Sequence, residues 1–216
     1  MTRLQFKAYV DFWKTRGNWL VFLFFYPATI SAAFVLVSPI LVDIGWELAK
    51  IGFYIHIVGY SAGALVSLAA SGVMKKFSFR RVLIFATLGQ SMGLLLYLLP
   101  LNFTLGELQI TTIVSLVFSL YSIANIAITT LMMDACKEIS PATGFAMQHG
   151  VFMFFSMLFS SLSLGLAGRF GYENIIIFFS LFGVVAACMA MRLRIERDGG
   201  CSESRNRYRL DANVLE

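Results

Sequence analysis

The sequence predicts an all-α membrane protein with six transmembrane helices and both termini in the cytoplasm. The first observation is composition: of 216 residues, 58% are hydrophobic and 13% are charged, against roughly half and a quarter in a soluble domain. The second is that the apolar residues form six runs near or above the ~20 residues that cross a bilayer. The third is the placement of basic residues in alternate loops. These features exclude a soluble enzyme, a secreted disulfide scaffold, a DNA-binding module and a disordered tail.

Residues 1–17 form a polar and aromatic segment ahead of the first span. Phe6, Tyr9, Val10 and Trp13 recur at helical spacing, while basic side chains fall on another face. This pattern predicts an amphipathic helix that lies on the membrane surface. A solvated start of a helix is the alternative interpretation.

The six predicted spans form one bundle over residues 18–191. Their approximate limits are residues 18–42, 48–74, 82–101, 108–133, 144–166 and 174–191. The first span contains Pro27 and Pro39, which a membrane helix tolerates where neighbouring helices or water satisfy the freed carbonyls. A turn over Gly165–Gly171 is expected to follow the fifth span. The polar residues 192–216 are expected to form a mobile cytoplasmic tail.

Orientation follows from the basic residues. With six spans, the N-terminal segment, the second and fourth loops and the tail share one side of the membrane, and they carry 15 of the 17 Lys and Arg residues. Only Lys50 and Arg169 lie on the other side. Because Lys and Arg accumulate in cytoplasmic loops, this asymmetry places both termini in the cytoplasm and supports the count of six spans.

The second span contains the sequence G-Y-S-A-G at residues 59–63, which matches the G-x-S-x-G pattern of serine hydrolases. That pattern requires a strand–turn–helix context, which an apolar transmembrane helix does not provide. An intramembrane enzyme using Ser61 is therefore the minor alternative. The favoured interpretation is that Gly59 and Gly63 form a small-residue stripe for helix packing.

The fourth span carries a polar stripe. Steps of three and four residues place five side chains on one face of the helix, namely Ser115, Ser119, Ser122, Asn125 and Thr129. Because unsatisfied polar groups are costly in hydrocarbon, the stripe either lines a solvated cavity or packs against a neighbouring helix. Asn125 is the favoured cavity residue, with Tyr121 beside the stripe.

Two histidines lie within predicted spans. His56 is in the second span, and Gln148 and His149 are near the start of the fifth. Such residues are functional hypotheses by default, since a histidine there can bind an anion or relay a proton. The alternative is a neutral, hydrogen-bonded core histidine. Polar residues of other spans extend the set: Tyr26, Thr29, Ser31 and Gln90.

Apart from the G-x-S-x-G match, the sequence contains no motif that indicates catalysis, nucleotide binding or metal binding. No carboxylate lies in the middle of a span, and no nucleotide-binding or metal-hydrolase motif is present. The three cysteines, Cys136, Cys188 and Cys201, are odd in number and fit no metal template, so we expect reduced thiols. We therefore expect no enzymatic activity, no cofactor, no metal site and no nucleic-acid partner.

Several stretches resemble a known family. The loop Lys75–Arg81 resembles the basic loop between the second and third helices of a major-facilitator half. Within that superfamily the chain resembles the C-terminal half of an AmpG-type permease, in the peptide–acetyl-CoA transporter family, and it is also similar to siderophore permeases of the RhtX/FptX type. The matching stretches are residues 38–45, 50–52, 131–136, 142–146 and 165–172.

The resemblance implies half of a major-facilitator fold built of 3+3 inverted repeats. It implies a multi-pass, secondary-active importer of the bacterial inner membrane, whose solute is an iron chelate or a muropeptide-like compound. Because solute binds between two halves, it also implies a partner, either an N-terminal six-helix half or a second copy. The implied substrate-binding residues are Tyr26, Thr29, His56, Tyr121, Asn125, Gln148 and His149. The implied gating loop comprises Lys75, Lys76, Arg80 and Arg81.

The chain departs from the muropeptide pattern at charged positions. There, the first helix of this half resembles Tyr-Lys-x-x-Asp, whereas here Tyr26 is followed by Pro27, and Ile30 replaces the acid. Val117 and His56 stand where an acid and a lysine are expected. These differences count against muropeptide transport and against proton coupling through this half. The alternative function is a non-transporting remnant or an assembly subunit of a membrane complex.

Overall fold

The computed structural model describes residues 17–76, 79–134 and 141–192, with side chains described except at 71–80 and 141. Almost all of this part of the chain is helical. Six of its helical segments are long and apolar enough to cross a membrane, which confirms the predicted all-α class and the number of spans. The predicted surface helix and the polar tail lie almost entirely outside the described residues.

We number the spans one to six in chain order. The uninterrupted spans are span one at Gly17–Asp43, span four at Glu107–Asp134, span five at Pro141–Phe170 and span six at Tyr172–Arg192. Span two comprises Leu48–Gly52, Phe53–Gly59 and Tyr60–Lys76, and span three comprises Phe79–Leu95 and Leu98–Asn102. Successive spans run in opposite directions, so the bundle has a terminal end, which holds Gly17 and Arg192, and a distal end, which holds Asp43 and Glu107.

Two spans depart from regular α-helix. Residues Phe53–Gly59 of span two form a π-helix, a conformation that is frequent at functional sites. Span three is interrupted at Tyr97, whose amide bonds to the carbonyl of Leu94 at 3.2 Å, three residues back rather than four. Pro100 accounts for this interruption, because a proline ring clashes with the carbonyl four residues earlier, which here belongs to Leu96.

Span five is longer than its sequence pattern predicts. The glycines predict a turn over Gly165–Gly171, but the helix continues to Phe170, and only Gly171 turns, with a φ of +81°. The prediction of a turn beginning at Gly165 is therefore wrong. Glycine weakens a helix in water, but in a membrane an opened helix would leave its backbone groups without hydrogen-bond partners, so the helix persists through Gly165 and Gly168.

The spans pack in a ring with two outer members. Span four packs on span three, span three on span six, and span six on span one. Spans one and four, which close the ring, touch each other at only a few points. Span two packs against the outer side of span four, and span five against the outer side of span one. The loose side of the ring is therefore the boundary between spans one and four.

Small residues allow the closest helix contacts. A Cβ added at Gly59 would lie 3.2 Å from the ring of Phe118, and one at Gly63 would collide with the hydroxyl of Ser122. Gly183 of span six meets Ser91 and Thr29 in the same way. The prediction that Gly59 and Gly63 form a packing stripe is confirmed: span two uses both to approach span four. Ser61, between them in sequence, is exposed.

Candidate functional site

An aromatic groove lies on the loose side of the ring. We define it by Phe34 of span one, Tyr60 of span two, and Phe118 and Tyr121 of span four. The ring of Phe34 lies 5.7 Å from that of Phe118, 6.0 Å from that of Tyr121 and 6.3 Å from that of Tyr60. Phe34 is 39% exposed and Tyr60 is 44% exposed. The groove therefore presents aromatic faces at the bundle surface, where a planar or apolar group can stack.

His56 extends this groove along span two. Its imidazole stacks on the ring of Tyr60, with centroids 5.7 Å apart and planes 13° apart, and it is exposed. The π-helical segment that contains His56 ends at Gly59, where the helix approaches Phe118. The His56 imidazole therefore places a hydrogen-bond donor or acceptor beside the aromatic groove. A molecule whose ring stacks on the groove can present a polar group to it.

A narrow cleft continues from the groove into the bundle. It has a volume of about 10 Å³, and its lining comprises Ile30, Ala33, Phe34, Tyr97, Val117, Phe118 and Tyr121. Tyr97 of span three is 2% exposed. Its hydroxyl has no hydrogen-bond partner among the described residues. Sequence analysis missed Phe34, Tyr60 and Tyr97, although Pro100, three residues after Tyr97, was an available signal for an irregular helix there.

Tyr26 and Thr29 lie inside the bundle rather than on the groove. The Tyr26 hydroxyl donates to the carbonyl of Ala124 at 2.7 Å, and the Thr29 hydroxyl donates to that of Phe179 at 2.8 Å. Both residues are 1% exposed. These bonds connect span one to spans four and six, and they occupy the hydroxyl protons that would otherwise be available to a ligand.

Gln148 and His149 lie near the terminal end. The Gln148 side chain is 1% exposed; it accepts a hydrogen bond of 2.7 Å from the Trp19 indole and donates one of 3.3 Å to the carbonyl of Met132. His149 stacks between Phe145 and Phe152, at 5.5 and 6.0 Å. Its Nδ1 is buried and has no partner within the described part of the chain. These contacts favour a packing role for Gln148. The Nδ1 of His149 remains able to form a hydrogen bond.

Of the two interpretations that the sequence left open for the polar stripe of span four, the structure supports packing at Ser122, and no residue of the stripe lines the cleft. Ser122 packs against Gly63, and the Ser119 hydroxyl bonds to the carbonyl of Ser115 at 2.7 Å. Asn125 and Thr129 are half-buried. Tyr121, beside the stripe, lines the cleft. The stripe thus packs near its middle, while Tyr121 turns toward the groove.

A charged network lies at the distal end, and sequence analysis did not identify it. Lys50 pairs with Glu107 at 2.7 Å, and the Tyr54 hydroxyl donates to the same carboxylate at 2.6 Å. Lys50 also lies 4.6 Å above the ring of Trp46. The four-residue spacing of Lys50 and Tyr54 was the available signal, because it places both side chains on one face of span two, and Trp46 precedes that helix. The network ties the start of span two to the start of span four.

The predicted site residues do not form one cluster. His56 and Tyr121 belong to the groove, whereas Tyr26 and His149 are linked toward the terminal end through Phe152. The predicted gating loop lies outside the described side chains, except for Arg81, which is exposed. Compared with models of protein families, the chain matches none of them.

Proposed function

We propose that the chain is one six-helix half of a secondary-active solute importer of the major-facilitator type, as its resemblance to AmpG-type and siderophore permeases implies. The observation that carries the proposal is the pattern of helix packing. Inverted repeats of three helices require that exchanging spans one, two and three for spans four, five and six leave the packing unchanged. The exchange turns the contact between spans one and five into the contact between spans four and two. It turns the contact between spans three and four into the contact between spans six and one. All four pairs are among the main contacts of the bundle.

The groove is the proposed wall of the solute site. It lies between spans one and four, which exchange with each other under this symmetry, and Phe34, Tyr60 and His56 are exposed there. A solute with an aromatic or apolar body and an anionic or hydrogen-bonding group fits such a surface. An aromatic iron chelate fits it better than a muropeptide, because sugar hydroxyls need several polar partners and the groove offers few.

The partner is a second six-helix unit, either a different half or a second copy. Spans two and five lie at the two edges of the bundle. The buried fraction of each is 22%, the lowest among the six candidate spans. A single half offers only one wall of a binding cavity. The proposed location is the inner membrane of a bacterium, with solute moving toward the cytoplasm.

Uptake of ⁵⁵Fe tests the proposal directly. A bacterial strain that lacks its own siderophore permeases is supplied with ⁵⁵Fe bound to phenolate, catecholate or hydroxamate chelates, with and without the protein. We expect protein-dependent uptake of at least one aromatic chelate, reduced by Phe34→Ala and His56→Ala. Phe85→Ala is the matched control, because Phe85 is 74% exposed on span three, away from the groove. The absence of uptake of every chelate, with the protein present in the membrane both alone and together with the N-terminal half of a siderophore permease, would count against the proposal.

A further inference from the structure

Span three contributes a buried polar residue, Tyr97, to the cleft that continues inward from the aromatic groove. Tyr97 lines the deep side of the cleft, while Phe34 and Tyr121 stand at its exposed side. The Tyr97 hydroxyl is buried without a partner among the described residues. The local interruption of the helix positions this side chain, and irregular backbone at membrane depth is tolerated where it lines a cavity or is buried in protein.

Gln90 supplies a second buried polar group on the same helix. It is 6% exposed, and neither amide atom has a partner within the described ranges. A separation of seven residues places Gln90 and Tyr97 about two turns apart on the same side of a helix. Gly93, between them on this face, packs against Val117 and Leu120 of span four, and Val117 also lines the cleft beside Tyr97.

Two buried, unsatisfied polar side chains on one helix face require an explanation. Leaving such a group unpaired costs about 1–3 kcal/mol, and in native proteins nearly all of them have a partner, protein or otherwise. The remaining cleft residues carry no side-chain charge. Because no charged side chain of the lining would pair with an ion, a neutral hydrogen-bonding group suits the Tyr97 hydroxyl best. A volume of about 10 Å³ admits one oxygen-sized group.

We propose that the Tyr97 hydroxyl binds a neutral oxygen, either the hydroxyl or carbonyl oxygen of a solute whose ring occupies the aromatic groove or, without solute, a water molecule. Gln90 lies about two turns nearer the terminal end and outside the cleft lining, so the proposal rests on Tyr97. The solute part of the inference rests on the proposed transport function; the binding of an oxygen at Tyr97 does not. Tyr97 thereby selects for solutes that carry an oxygen at the end inserted into the cleft.

Cysteine accessibility tests the site. In a variant whose three native cysteines are replaced by serine, Tyr97→Cys is compared with Leu94→Cys, a fully buried position of the same span that is absent from the cleft lining. The reagent is 2-aminoethyl methanethiosulfonate, which reacts with thiolates in contact with water. We expect labelling at position 97 to be at least about tenfold faster than at position 94. Equal rates, or no labelling at position 97, would overturn the proposal.

The source of the oxygen is distinguished with Ala33→Cys, a cleft-lining position that keeps Tyr97, by adding 4-hydroxybenzamide, a neutral ring with oxygens at both ends. Slower labelling at position 33 that is lost when Tyr97→Phe is added supports a solute oxygen at Tyr97, whereas an unchanged rate supports water at the same site. Labelling needs no uptake, so a failure here is distinguishable from a failure of transport. Intact ⁵⁵Fe uptake with an unreactive position 97 would remove the inference and leave the proposed function.

A second variant covers the possibility that Tyr97→Cys does not fold. Tyr97→Phe removes only the hydroxyl. If the hydroxyl is bonded to water, its removal lowers the midpoint of thermal unfolding; if it is dry and unpaired, its removal leaves the midpoint unchanged or raises it. The first result supports the site, and the second overturns it.

Discussion

The indole Nε1 of Trp19 donates a hydrogen bond of 2.7 Å to the Oε1 of Gln148, across 129 positions of the sequence. Trp19 is 7% exposed and Gln148 is 1% exposed. The bond joins the first turns of span one to span five at the terminal end. The same amide donates to the carbonyl of Met132, so one side chain connects spans one, four and five.

Replacing Gln148 by leucine tests whether this bond stabilises the bundle. Gln148→Leu leaves the Trp19 N–H buried and unpaired, and we expect a loss of about 1–3 kcal/mol in unfolding free energy. The measurement is unfolding in detergent of the two single variants, Gln148→Leu and Trp19→Phe, and of the double variant. If the pair is coupled, the double variant loses less than the sum of the single losses. Strict additivity would show that the bond contributes nothing.

Gly183 tests the closeness of the contact between spans six, one and three. A Cβ at Gly183 would lie 2.8 Å from the Thr29 hydroxyl and would collide with that of Ser91. We expect Gly183→Ala to cost about 1–3 kcal/mol, because overpacking forces neighbouring groups to move. Gly165→Ala is the control, since nothing lies within 4 Å of its Cβ position. Equal stability of the two variants would contradict the observed packing.

The distal ion pair is predicted to contribute little to stability. The Lys50 and Glu107 side chains are 35% and 49% exposed, and exposed pairs gain little because solvent screens them. We expect Glu107→Gln to leave the midpoint of thermal unfolding unchanged within error. Lys50→Met, which removes the charge and keeps an unbranched side chain, is the companion variant. A large loss in either would show that the network is shielded from solvent.

The accessibility of His56 follows from its place on the groove. A cysteine at position 56 in the cysteine-free variant is expected to react with N-ethylmaleimide, a membrane-permeant reagent. Ile55→Cys is the neighbouring control, because Ile55 is 4% exposed. Labelling is measured in membranes by mass shift. Reaction at position 55 but not at position 56 would place His56 in the packed core.

The orientation of the chain is a prediction from charge alone. Alkaline phosphatase, which is active only outside the cytoplasm, is fused after Thr104 in the distal loop or after Glu216. We expect activity from the first fusion and none from the second, because 15 of 17 basic residues belong to the segments on the predicted cytoplasmic side. The reverse pattern would invert the topology.

The number and approximate limits of the spans were predictable because they depend on local composition. A run of apolar residues long enough to cross the membrane is a property of one stretch of chain. The end of span five shows the limit of this reasoning. Its glycines predict a turn in water, and the helix continues to Phe170 because backbone groups in a membrane have no water to bond.

The roles of individual polar residues were not predictable in the same way. Periodicity assigns a residue to a helix face, but it does not identify the neighbour that this face meets. Tyr26 and Tyr121 both belong to proposed cavity-lining spans, yet Tyr26 is bonded to the Ala124 carbonyl, and Tyr121 lines the cleft. The difference arises from how spans one and four approach each other.

By itself, the sequence determined that this is a membrane protein of six helices. Gly59 and Gly63 also predicted that span two packs closely on a neighbouring helix. Only the tertiary structure decided which neighbour, and that His56 joins an aromatic groove while Gln148 is enclosed. The physical reason is that hydrophobicity acts on each stretch of chain separately, whereas a hydrogen bond or a ring contact requires two spans to meet. Those meetings are set by the packing of the whole bundle.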